Sequence, residues 1–95
     1  MDSERKGYVM ALREVAARLV AQADAWEAEA AERDDAVGFA DMDAKLRALL
    51  TLAEAHRWCA RLRQIAARTA AHAGEVEAAD TATAASTSSD PEPPC

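Results

Sequence analysis

His56 and Cys59 stand three residues apart in a helix-forming stretch, so both project from one face and could offer two ligands to a metal ion. A zinc site takes about four ligands, and the other donors are only His72 and scattered carboxylates. A His–Cys pair in such a setting serves packing more often than ligation. The Glu-x-x-His pattern of bundles that hold two metal ions is missing, because Ala53 lies three residues before His56 and Glu54 only two. Gly7, Gly38 and Gly74 are isolated, so no phosphate-cradling loop can be built from them. A nucleophile, base and orienting group would have to come from His56, Cys59 and a nearby acid, with no motif behind them. The expectation is a protein that is not an enzyme and has no catalytic, metal or cofactor site.

Arg57, Arg61 and Arg68 share one face of the same stretch and could contact phosphates. A solvated helix face is the better reading, so nucleic acid is not an expected partner. The opposite idea, an acidic turn and tail acting on a nucleic-acid-binding protein as inhibitor or accessory factor, fits the charge but has no motif. Gln22 and His56 interrupt otherwise apolar seams, where lone polar residues commonly fix register or oligomer state. They lie within about half a turn of level in the hairpin, close enough for a hydrogen bond to form between them. A buried, neutral His56 would make the assembly weaken in acid.

These residues need helices to hold them. Asp2 or Ser3 can cap a first helix over about 4–36, whose seam reads Tyr8, Leu12, Val15, Leu19, Gln22 and Trp26 at spacings of four and three. Gly38 is suited to end it in the left-handed conformation, within a turn over 37–40. Asp41 or Asp43 can cap a second helix over about 41–73, with a seam of Met42, Leu46, Leu49, Ala53, His56 and Ala60. The short connection forces an antiparallel, coiled-coil-like hairpin spanning 1–74. In that register Trp26 faces Leu49 and Leu50, and Tyr8 lies near Arg68.

Trp58, Leu62 and Ile65 form a second apolar stripe more than 90° from the Met42–Leu46–Leu49 seam, with Val9, Ala16 and Val20 as its counterpart on the first helix. A two-helix core rarely stabilises itself, and one large side chain left in water forgoes roughly 1.5–3 kcal/mol. The simplest resolution is a homodimer, two hairpins pairing into a four-helix bundle over Trp58, Leu62, Ile65, Val9 and Val20. The alternatives are a rotation of the second helix onto the first and a dedicated partner protein with its own groove.

The composition changes after Gly74. Residues 75–95 carry five acids and no Lys or Arg, and end in a Pro-rich stretch; they are expected to form a disordered acidic tail. They hold most of the formal net charge of −6, leaving the helical part with 12 acids against 11 bases. Two distant thiols, Cys59 and Cys95, make no disulfide framework, and a reducing cytoplasm is the default reading. No signal-peptide pattern and no bilayer-spanning apolar run is seen, so no membrane is expected. In length and outline the chain resembles the small secreted helical hairpins of Gram-positive bacteria. Its turn, Ala36-Val37-Gly38, departs from their Trp-x-Gly, and no membership is read from the likeness.

Overall fold

The computed structural model describes residues 3–89, with side chains for residues 3–82. Two helices make up the described chain: α1, Ser3–Ala36, and α2, Met42–Ser89. They pack against each other as an antiparallel hairpin. The molecule is a rod of 85 × 18 × 13 Å with a radius of gyration of 22.5 Å.

The turn is closed by local hydrogen bonds. Val37 N donates to Asp34 O at 3.1 Å, ending α1. Asp41 caps α2: its Oδ1 accepts from Ala44 N at 3.1 Å and its carbonyl from Lys45 N at 2.9 Å. Of the two capping candidates at this end, Asp41 does the work. Among the described residues no glycine has a positive φ, so Gly38 does not act as the left-handed cap its sequence position suggested, and α2 runs straight through Gly74. Beneath the turn, Lys45 Nζ lies 2.9 Å from Asp34 Oδ1, donates to Asp34 O at 3.0 Å, and sits 4.9 Å from the Phe39 ring centre. Both charged residues are buried, so the ion pair compensates their charges where water is excluded, although Asp34 Oδ1 lacks a well-aligned hydrogen bond.

α2 runs to Ser89 rather than ending near 73. Residues 75–82 are therefore helical where composition suggested a disordered tail, and their partners explain why. Arg13 holds both carboxylate oxygens of Glu77 at 3.0 and 2.9 Å, and Arg5 Nη1 meets Asp80 Oδ1 at 2.9 Å. The acids that looked like a solvated tail belong to the hairpin's open end. Residues 90–95, with the Pro-rich stretch and Cys95, lie outside the described residues, as does Asp2, one of the two caps expected for α1.

The buried seam differs from the expected one. It consists of Val9, Ala16, Ala23 and Ala30 on α1, seven residues apart, and Lys45, Cys59, Ala66 and Ala73 on α2 in the same period, with Ala55 beside them. Leu52, half-buried, continues the α2 period between Lys45 and Cys59, and Leu12, Leu19 and Leu62 flank the seam half-buried. Tyr8, Val15, Trp26, Met42, Leu46 and Leu49, expected in the hairpin core, are all exposed, and Val9, expected on the outer interface, is buried at 2% exposure. The reason is spacing. Small side chains let two backbones approach closely, whereas large ones would hold them apart. Cys59 Sγ donating to Ala23 O at 3.2 Å, one helix's side chain reaching the other's backbone, gives the measure of that approach.

The register is displaced as well. Tyr8 meets His72, not Arg68, its hydroxyl 3.3 Å from Nε2 with the rings edge-on at 6.2 Å. His56 Nδ1 contacts Glu27 Oε2 at 2.5 Å, so Trp26 stands level with His56 rather than Leu49.

Candidate interaction face

With positions 9, 16, 23 and 30 buried against 45, 59, 66 and 73, the residues beside them define two long faces of the hairpin. Their chemistry is different.

One face carries the positions four residues after the buried ones. There α1 presents Arg13, Val20 and Glu27, and α2 presents His56, Arg63 and Glu77. Charged pairs bridge the helices: Arg13 with Glu77, and Arg63 with both Glu27 and Asp24, the latter at 2.7 Å. Hydrogen bonding to Arg63, and next to His56, holds the Glu27 carboxyl below its ordinary range. Arg13 does the same to Glu77, and the two guanidiniums are held more firmly protonated in return. Val20 lies on this side, in a shallow groove with Ala16, Arg63, Ala66 and Ala70. It is thus separated from Trp58 and Ile65, with which the sequence grouped it.

The other face carries the positions one residue before the buried ones. On α1 these are Tyr8, Val15 and Gln22; on α2 they are Trp58, Ile65 and His72. The Tyr8–His72 contact and a groove joining Tyr8 to Val76 and Ala79 fix the α1 and α2 rows on the same side. Between the rows run Leu12, Leu19 and Trp26 of α1 and Leu62 of α2, half-buried or exposed. Trp58 is 49% exposed and Trp26 38%. No charged pair crosses this side among the described residues from Tyr8 to Trp26 on α1. The two tryptophans, placed by sequence on different surfaces, come together on it.

Gln22 and His56 are not partners. Gln22 lies on the tryptophan face and His56 on the ion-pair face, exposed and bonded to Glu27. The acid sensitivity expected of a buried neutral imidazole at position 56 loses its basis. His56 and Cys59 also diverge, since Cys59 is fully buried in the seam. Burial pushes its thiol above the usual range. Among the described residues no three His, Cys, Asp or Glu side chains gather as a metal site would require. Arg57 and Arg61 line a shallow depression beside Trp58 on the outer side of α2.

Sequence reasoning missed Asp34 and Lys45, which pin the turn. Lys45 is an isolated lysine set seven residues before the half-buried Leu52 and fourteen before Cys59. That spacing was the available signal. Among the described residues no helix is long and apolar enough to cross a membrane. No protein-family model, curated protein or solved structure matches the chain.

Proposed function

We propose that the protein is a non-enzymatic interaction module, an adaptor or accessory factor that self-associates through its tryptophan face. The observation that carries this reading is the asymmetry of the hairpin. One long face is bridged by ion pairs, with Val20 and Leu49 exposed beside them, while the other leaves both tryptophans, Val15 and Ile65 in water with no charged pair across it among the described residues from Tyr8 to Trp26 on α1. Two exposed tryptophans beside Val15 and Ile65 on so thin a molecule are characteristic of surfaces that become covered. The recurrence of buried positions every seven residues supports coiled-coil-like packing, which extends readily to four helices. Cys59, buried and reduced, is compatible with a reducing cytoplasm.

Sedimentation equilibrium of the full chain over a wide concentration range tests the reading. A mass of twice 10.1 kDa at high concentration is expected. Trp58→Glu should return the protein to the monomer while leaving its helical circular dichroism unchanged, because Trp58 lies outside the seam. A helical wild type that stays monomeric throughout would remove self-association from the proposal.

A further inference from the structure

We infer that the second copy lies antiparallel on the tryptophan face, the turn of each hairpin beside the open half of the other. This rests on the self-association proposed above and specifies its geometry.

Two observations carry it. The first is the distribution of charge along the rod. The turn half, residues 24–56, holds nine acids against three bases, whereas the rest of the chain, residues 1–23 and 57–95, holds eight acids against eight bases. The net negative charge of each hairpin therefore sits in its turn half, and the remainder is balanced. Helices in a bundle pack 8–10 Å apart, about one screening length at physiological ionic strength, roughly 8 Å. Charges on neighbouring hairpins act on each other across that distance. A parallel pair would set acidic half against acidic half along its whole turn end. An antiparallel pair sets each acidic half beside a balanced one that carries Arg57, Arg61, Arg63 and Arg68.

The second observation is the extent of the apolar face. It begins at Tyr8 and His72 and reaches the acidic Glu29 near the turn, so its midpoint lies near Leu19 and Leu62. Twenty-one residues at 1.5 Å each, across two helices of about 10 Å, present roughly 600 Å². Specific interfaces start at about 1,200 Å² in total, or about 600 Å² from each partner, so the face reaches that size only when one copy overlaps it along its whole length. A two-fold axis through its midpoint brings the two faces into full overlap in the antiparallel sense. The same axis places the turns at opposite ends of the assembly.

A nitroxide label on Asp35→Cys reads the arrangement directly, in full-length protein with Cys95→Ser so that the terminal thiol takes no label; Cys59 is buried. Asp35 lies sixteen residues from the midpoint, so the antiparallel dimer separates the two labels by about 50 Å at 1.5 Å per residue. Mixing this variant with Lys6→Cys should give a short distance, within about 25 Å by the same helical rise. Raising salt from about 0.05 to 0.5 M should leave the affinity of the antiparallel dimer nearly unchanged, whereas a parallel dimer would tighten as its like charges are screened. A dimer whose Asp35→Cys labels lie close together, or which tightens with salt, overturns the antiparallel geometry and leaves self-association standing. A monomer at every concentration overturns both.

Discussion

At the scale of single residues, the carboxylates of the ion-pair face tie the hairpin to pH. Glu27 is held ionised by hydrogen bonds from Arg63 and His56, and Glu77 by Arg13, so both titrate lower when folded than unfolded. A carboxyl depressed in the folded state contributes stability above its unfolded value, near 4.5, and loses it as pH falls through the lower folded one. Thermal midpoints should therefore hold steady from neutral pH down to about 5, then fall below about 4.5, the unfolded carboxyl range. Glu27→Gln should have a lower midpoint at pH 7 and a shallower decline in acid; an unchanged slope would separate Glu27 from the effect. Cys59 makes a second case. Its thiol is sealed between the helices and raised by burial. In the Cys95→Ser protein a disulfide reagent should react only after denaturant is added. Rapid reaction of the folded protein would mean that the seam opens readily.

At the scale of the helices, the hairpin and its turn were legible because Ala-, Leu- and Arg-rich stretches broken by Val37–Asp41 leave little else to form. The seam was not. Reading for large apolar residues selected Tyr8, Val15 and Trp26, yet the helices close on Ala16, Ala23, Ala30, Ala66 and Ala73. Alanine is common on every side of both helices, so its period is invisible until the register is known. The face was half legible: Trp58, Leu62 and Ile65 were seen as a stripe, but their neighbours Val15 and Trp26 had been assigned to the core. A close seam implies intolerance of bulk. Ala23→Leu should destabilise by about 1–3 kcal/mol through overpacking, while Ala21→Leu, on the exposed side of the same helix, should leave the midpoint nearly unchanged. A rise on Ala23→Leu would show that the helices can move apart freely. The end of α2 misled for another reason. Glu77 and Asp80 look like tail acids until Arg13 and Arg5 are seen beside them, more than sixty residues away in sequence. Amide hydrogens of residues 75–80 should exchange more slowly than those of an unstructured chain, and truncation after Gly74 should lower the thermal midpoint.

At the scale of the molecule, ion pairs bridge one face and the tryptophans mark the other. Because both tryptophans lie on the second face, their emission reports its state. It should move to shorter wavelength as concentration rises, in step with the increase in mass, and stay red-shifted in Trp58→Glu through the remaining Trp26. Emission that ignores concentration while mass doubles would place the interface elsewhere. The rod itself has a further consequence. A compact chain of this length has a radius of gyration of about 12 Å, against the 22.5 Å found here. So elongated a particle meets far more hydrodynamic drag than a sphere of equal mass. The single hairpin should leave a size-exclusion column well ahead of its 10.1 kDa, where a globular dimer would run. An antiparallel pair thickens the rod more than it lengthens it, so dimerisation should lower the frictional ratio.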